Sequence, residues 1–242
     1  MEVVGMLRFN LDSLANLTAE DHALIAGLAG RHIREVAPRR DLISERERPR
    51  GVIWILDGWA SIYKQLPSGC RQVTSFLIPG DLSDANVFIL SEMDHSIGAV
   101  TRVRYAEIAP ADFEALTDAS PRIARALWKH SLVAASTARE WVLNVGQRTA
   151  YQRLAHLICE MVVKLRAAGL AEGDSYDWPL TQMDLADATG LTSVHVNRTL
   201  QQLRRDGLIN LKGRRLVVPD LAALMRVGLF TPNYLHLDPV PA

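Results

Sequence analysis

The side chains best suited to chemistry lie between Leu180 and Arg205, in the run LTQMDLADATGLTSVHVNRTLQQLRR. Thr181, Gln182, Thr192, Ser193, His195, Asn197, Arg198, Gln201 and Arg205 carry N–H or O–H groups, with Val194 among them. Groups of this kind donate hydrogen bonds to phosphate oxygens and to base edges. The spacing requires two short helices and a tight turn to hold them. Thr181 caps the first helix, with Asp184 completing a capping box. Leu185 and Ala188 face inward, and Ala186 is small where a second helix must cross. Gly190 takes the turn, where glycine reaches a left-handed backbone most easily. Thr192 caps the second helix. Val196, Leu200 and Leu203 then recur at helical spacing and bury one face. The polar set from Ser193 to Arg205 falls on the other.

The pattern continues beyond that helix. Gly207 is a helix stop. Leu208 to Leu211 and Leu216 to Val218 read as short strands around a turn at Lys212-Gly213, with Arg214 and Arg215 extending from the hairpin. Between Arg198 and Arg215 there are six basic residues and a single acid, Asp206. A charged helix alone would be an ordinary solvated face. A capped helix pair with a turn glycine, an amide-rich face and a basic hairpin is instead a winged helix-turn-helix, whose second helix docks in a DNA major groove. The expected DNA-contacting set is Thr181, Gln182, Thr192, Ser193, Val194, His195, Asn197, Arg198, Gln201, Arg205, Lys212, Arg214 and Arg215.

The rest of the chain must position that unit. Its 242 residues suffice for two domains, and 48% are apolar. Lys plus Arg and Asp plus Glu are 27 each, so the formal charge is zero; a DNA binder needs only a basic face. No apolar run is long enough to span a bilayer, and no signal peptide is evident, so a cytoplasmic protein is expected. Cys70 and Cys159 lie far apart and read as reduced thiols, too few for a disulfide framework or a four-cysteine iron–sulfur or zinc site.

Along the chain, Thr18 with Asp21 starts a helix that runs through Leu28 to Gly30. From His32 to Ala109 the rhythm is of short strands, clearest at Val52 to Leu56, Trp59 to Leu66, Val73 to Ile78, Ile97 to Val103 and Arg104 to Ile108. Asp57-Gly58 and Pro67 to Gly69 are turns between them, and the spacing implies a small barrel or sandwich. Ser120-Pro121 starts a long helix. One apolar stripe holds Ile123, Leu127, Ala134, Ala138, Trp141 and Val145; a second holds Trp128, Leu132, Ala135 and Val142. A helix apolar on two faces must bury both. One covers the β domain and the other pairs with a second copy; Leu127, Ala134 and Trp141 are the expected dimer contacts. Gly146 is read as a hinge interrupting the helix, Thr149 as the start of the next, Ala171 to Asp177 as a polar connector, Asp220 as the cap of a short helix, and residues 231–242 as a tail.

This order of parts resembles the Crp–Fnr family of bacterial transcription regulators over roughly residues 18–226, most specifically at Gly80-Asp81, at Thr181 to Gly207 and in the hairpin after it. The resemblance implies an α+β chain of two domains. A cyclic-nucleotide-binding-like β-roll would occupy 18–119, a long dimerisation helix 120–146 and a winged helix 147–228. It also implies a homodimer on two-fold symmetric double-stranded DNA, contact with RNA polymerase, and a sensor site at Asp84, Ala85, Asn86, His95 and Ser96. The departures are specific. Where cyclic-AMP-binding members have a glutamate for the ribose and an Arg-Ser pair for the phosphate, this chain has Ala85, His95 and Ser96. Ala138 and Arg139 stand where a Thr-Ser pair would meet the nucleotide. Ala85 accepts no hydroxyl, and His95 lacks arginine's fork, so the effector is expected to be something other than cyclic AMP. The cysteine cluster of oxygen-sensing members is missing, which argues against an iron–sulfur cluster. His22, His32, His95, His130 and Cys70 are nominal haem ligands, but lone histidines are more often structural. In the recognition helix, Ser193 and Val194 replace an Arg-Glu pair while Arg198 is kept, so the docking carries over and the base preference does not.

Two further readings of the function are set against gating by a ligand. One is a regulator without an effector, controlled by its abundance or by thiol oxidation; the other is a small-molecule-binding module without DNA function. Catalysis has no support. Asp81, Asp84, Glu92, Asp94 and His95 form no nucleophile elbow, metal-binding pair or phosphate loop.

Overall fold

The computed structural model describes residues 17–85 and 87–237. These form two compact units, one of residues 17–64, Ser75–Ala135 and 236–237, the other of Gln65–Thr74 with Ser136–Leu235.

The first unit opens with α1 (Ala19–Ala29), whose cap Thr18 and Asp21 form the expected capping box. Asp21 also accepts from Ser120 Oγ at 2.6 Å and from Arg122 Nε at 2.7 Å, which ties the start of α1 to the start of the long helix. The Arg122 guanidinium first, then Ser120 and Thr18, hold this carboxyl far below the usual carboxylate range against the effect of burial.

Seven strands follow: β1 (Ile33–Val36), β2 (Asp41–Ile43), β3 (Val52–Asp57), β4 (Ala60–Gln65), β5 (Arg71–Leu77), β6 (Ser96–Ala99) and β7 (Val103–Ile108). They make two antiparallel-paired sheets, in the orders β1-β7-β3 and β2-β6-β4-β5. β3 explains how the unit is layered. Ile53 and Ile55 join Ile97, Val103 and Tyr105 in one core, while Val52, Trp54 and Leu56 join Ile25, Phe113, Ile123 and Leu127 in another. Successive side chains on a strand point to opposite faces, so one apolar strand serves both. The expected strand Ile97 to Val103 is in fact broken after Ala99. Val100 N and Thr101 N both donate to the Trp59 carbonyl, and the chain passes so close to Gly58 that a Cβ there would sit 2.0 Å from the Arg102 oxygen. β1 and β2 had no apolar alternation to announce them, and β1 is an edge strand with mostly exposed side chains.

Two helices complete this part, α2 (Pro110–Ala119) and the long α3 (Pro121–Gln147). Gly146 does not interrupt α3. The break comes at Arg148 and Thr149, because Thr149 caps α4 (Ala150–Ala167) with a capping box to Gln152.

In the second unit α4 is the core helix, with Leu154, Leu157, Ile158, Met161, Val162 and Leu165 all buried. Ala171 to Asp177, expected as a polar connector, is a hairpin of β8 (Ala171–Glu172) and β9 (Ser175–Asp177) with Tyr176 fully buried. It pairs with the wing strands β10 (Asn210–Lys212) and β11 (Arg215–Val217) in the order β10-β11-β9-β8. The helix-turn-helix pair is α5 (Gln182–Thr189) and α6 (Ser193–Arg205), followed after the β10–β11 hairpin by α7 (Leu221–Gly228) capped by Asp220. α7 lies directly on α4, since a Cβ at Gly228 would be 2.7 Å from His156 N.

The expected tail is ordered where it is described. Pro232–Leu235 forms a short 3-10 turn that buries Tyr234 and Leu235, and residues 238–242 lie outside the described residues. Tyr234 Oη is 2.7 Å from Glu160 Oε2 and 3.2 Å from His156 Nε2. Trp141 Nε1 donates to Glu160 Oε1 at 2.9 Å, and His156 Nδ1 lies 3.2 Å from the Gly228 carbonyl.

Candidate nucleic-acid interface

Local capping builds the interface. Thr181 N and Oγ1 both donate to Asp184 Oδ2, at 2.8 and 2.7 Å, and Thr181 Oγ1 accepts from Asp184 N at 3.2 Å. Such a cap stabilises by about 1 kcal/mol, and here it also fixes Thr181 and Gln182 at the exposed start of α5. Gly190 ends α5 at φ 64°, where an L side chain costs about 1–2 kcal/mol. Thr192 Oγ1 accepts from His195 N and starts α6. Val196, Leu200 and Leu203 are buried, and Val194, Asn197, Arg198, Gln201 and Arg205 are exposed on the opposite side. At the far end Leu208 N donates to Leu203 O and Gly207 N to Arg204 O, with Gly207 at φ 72°. These paired bonds are a Schellman stop, and they aim the chain into the wing.

A cleft of about 320 Å³ opens between the start of α5, the outer face of α6 and the wing. Thr181, Gln182, Asn197, Gln201 and Arg214 line it, so five of the expected DNA-contacting residues meet there. Asn197 Nδ2 donates to Gln182 Oε1 at 3.2 Å, which links the two helices. Thr192, Ser193, Val194, His195, Arg198, Arg205, Lys212 and Arg215 are not among its walls. They lie on α6, at its cap and on the wing strands, and Val194 is 79% exposed. Arg215 is a strand residue whose Nε donates to Ser175 Oγ, while Arg214 sits in the turn. Asp206 is held by the Tyr151 hydroxyl, whose pKa is pushed up to about 12 by burial and by that carboxylate.

Sequence reasoning missed Arg204, whose buried Nε has no hydrogen-bond partner and which lines the cleft. The signal was available, since Arg204 lies four residues beyond Leu200 and three beyond Gln201. It also missed the apolar wall of Trp178, Pro179 and Leu180.

The expected sensor residues look different in three dimensions. Ala85 is buried in the core beside Trp54 and Leu82. Ser96 Oγ accepts from Glu45 N at 2.9 Å. His95 lies between two carboxylates, with Nδ1 2.8 Å from Asp94 and Nε2 3.5 Å from Asp84. Asn86 lies outside the described residues.

The expected dimer contacts need correction. Leu127 and Trp141 are only 3% and 7% exposed, because Leu127 belongs to the chain's own core and the Trp141 indole is bound to Glu160; Ala134 alone of the three is exposed. The open stripe of α3 is the other one, with Trp128 and Leu132 at 69% and Val142 at 74%.

Comparison with known proteins agrees with this architecture. The cyclic nucleotide-binding domain model matches residues 33–120, and the Crp-like helix-turn-helix domain model matches residues 152–227. The transcriptional activatory protein AadR of Rhodopseudomonas palustris is 30% identical over 204 residues, 83% of this chain and 79% of that protein. The chain belongs to the Crp–Fnr family. The transcriptional activator protein FnrL of Cereibacter sphaeroides is 29% identical over 175 residues, 71% of this chain and 70% of that protein. Among solved structures, FixK2 from Bradyrhizobium japonicum superposes with a TM-score of 0.71 at 24% identity, covering 87% of this chain and 98% of that one.

As a Crp–Fnr protein this chain is a DNA-binding transcription regulator and not an enzyme. Within the family its helix-turn-helix is the DNA-reading element. No helix among the described residues is long and apolar enough to cross a membrane.

Proposed function

We propose that this regulator acts in the cytoplasm as a homodimer on a two-fold symmetric DNA site, with RNA polymerase as its protein partner. The observation that carries the dimer is the stripe Trp128, Leu132, Ala135 and Val142, exposed on one line of α3. Their separations of four, three and seven residues are those of a coiled-coil seam. A second α3 is the surface that matches such a seam.

On DNA, Ser193, Val194, Asn197 and Arg198 occupy the first turns of the recognition helix and take the base edges. Arg198 alone among them can pair bidentately with a guanine, a contact that discriminates by about 1–3 kcal/mol. Thr181, Gln182, Lys212, Arg214 and Arg215 take phosphates, and Arg204 joins them from the cleft. The β-roll does not take cyclic AMP. A cyclic phosphate would meet the Asp84 and Asp94 carboxylates around His95, and Ala85 offers no acceptor for a ribose.

The dimer is tested by light scattering on Leu132→Glu and Trp128→Glu. Monomers are expected from both, and an unchanged dimer mass in both refutes the seam. The contacts are tested on a randomised site library at several salt concentrations. Arg198→Ala should relax preference at one position per half-site. Arg214→Ala should weaken all sequences alike and lower the salt slope by about one unit. Uniform weakening by Arg198→Ala would make that residue a phosphate clamp. Calorimetry with cyclic AMP should give no heat of binding in the micromolar range.

A further inference from the structure

Arg153 is oriented in an unusual way for a half-buried arginine. Among the described residues it pairs with no carboxylate; its guanidinium is spent on two main-chain carbonyls. Nη1 donates to Thr189 O at 2.6 Å and Nη2 donates to Arg148 O at 3.0 Å. Both oxygens sit at chain breaks. Thr189 is the last residue of α5, where carbonyls have no partner within the helix, and Arg148 is the link between α3 and α4. Burial pulls the Arg153 guanidinium below its usual pKa, and it remains a cation that makes charge-assisted bonds.

The surroundings make this a junction. Asn144, buried near the end of α3, donates from Nδ2 to the Arg153 carbonyl at 3.3 Å. The turn glycine Gly190 rests on Val145, whose Cγ1 is 3.5 Å from where a Cβ would stand. Thus the end of α3, the first turns of α4 and the helix-turn-helix turn meet at one planar fork. A planar fork with two fixed acceptors sets an angle as well as a distance. Arg153 has no place on the outer face of α6 and is not a DNA contact.

We infer that Arg153 is a positioning residue: it sets the recognition helix against the end of α3, and so sets which separation of half-sites the dimer accepts. This rests on the homodimer reading above. In a dimer joined along α3, the separation of the two recognition helices depends on how each is held to its own α3. Freeing that hold broadens the accepted separations without altering which bases are read.

The experiment uses the full chain and a symmetric duplex taken from library selection with the wild type, rebuilt with one or two base pairs added or removed between half-sites. The wild type should favour the selected spacing by tenfold or more, of order one recognition contact. Arg153→Met should bind the selected spacing about tenfold more weakly or worse, because both charge-assisted hydrogen bonds are lost. Its preference among spacings should flatten, while its base preference within a half-site and its salt slope stay as in the wild type. Arg153→Lys, able to reach only one carbonyl, should fall between. A spacing preference retained in Arg153→Met overturns the inference, as does a salt slope lowered by about one unit, the mark of a phosphate contact. If Arg153→Met melts below the assay temperature, Arg153→Lys decides: a flattened preference supports the inference and an intact one overturns it. A monomeric wild type refutes the homodimer reading itself, whereas a dimeric wild type indifferent to spacing overturns the inference, and the mass of the wild type in the same assay separates the two.

Discussion

Each unit of this protein buries a histidine, and the two stand in opposite surroundings. His95 in the β-roll has a carboxylate at each ring nitrogen, and both carboxylates are largely open to water. The bond from His95 is the main cause that keeps Asp94 below its ordinary pKa. His156, beneath the wing-side helices, faces a carbonyl and a phenol instead. The Gly228 carbonyl can only accept, so Nδ1 carries a proton. The Tyr234 hydroxyl donates to Glu160 Oε2 at 2.7 Å and its oxygen stands 3.2 Å from His156 Nε2, while Trp141 donates to the other Glu160 oxygen. Burial lowers His156 to about 4, with Arg148 repelling the cation as well, and it raises Glu160 and Tyr234. The charged groups nearby are Glu140, 3.6 Å from His156 Nε2 and paired with Arg148, and Lys164. The β-roll histidine thus faces carboxylates open to water, and the histidine of the second unit faces buried partners fixed by the fold.

The contrast can be broken most forcefully at His156. His156→Leu strands the buried Gly228 carbonyl and takes one of two partners from the Tyr234 hydroxyl, and should cost about 3 kcal/mol in denaturant unfolding, since a buried orphan costs about 1–3 kcal/mol. An effect below about 1 kcal/mol would mean the chain relaxes around the loss. Acid gives an effect of similar size. The unfolded ring takes its proton near pH 6.5 and the folded ring only near 4. Between these values the unfolded state binds more protons, so stability falls as pH falls, by about 3 kcal/mol across the window. Wild type minus His156→Leu isolates this limb, and two parallel profiles would show that His156 is not its source.

Glu160→Gln probes the opposite sign. A raised carboxyl pKa gives stability that is full below pH 4.5 and lost as pH rises through the folded value. Glutamine keeps the size of the side chain and an oxygen acceptor for Trp141, and cannot ionise. The difference in melting temperature should therefore move in favour of the variant from pH 5 to pH 8. Movement the other way would make the carboxylate the working form. The smallest effect belongs to the other histidine. Asp94→Asn removes a partner that is mostly solvated, and should change stability by less than about 1 kcal/mol; a larger loss would erase the contrast.

Where local chemistry decides, the sequence could be read. Thr18, Thr149, Thr181, Thr192 and Asp220 cap helices within three residues of themselves, and the glycines at 190 and 207 end them, so the helix starts and the helix-turn-helix pair were legible almost residue by residue. Errors arose where a distant partner decides. Leu127 and Trp128 are neighbours, each on an apolar stripe, and periodicity cannot say which stripe the chain's own core takes. Tyr176 is buried because β11 pairs with β9, which nothing in Ala171 to Asp177 announces. Tyr234 follows a proline in a stretch that looks irregular until Glu160 is brought to it. Arg153 had no local signature, because both of its acceptors are main-chain atoms set by the fold.

The two thiols have a consequence for redox chemistry and for labelling. Cys159 is fully buried in α4 and burial pushes its pKa up to about 12, whereas Cys70 is exposed. At pH 7 Cys159 is therefore held as the thiol, and the thiolate is the reactive form. Thiol oxidants and maleimides acting on the folded protein therefore meet one accessible thiol per chain. An internal disulfide is closed off, and a disulfide formed by the native protein is made at Cys70, to a small thiol or across two chains. The same asymmetry supplies a ready-made spectroscopic handle: a dye on Cys70 marks one defined turn, at residues 66–70, without any residue having to be removed first.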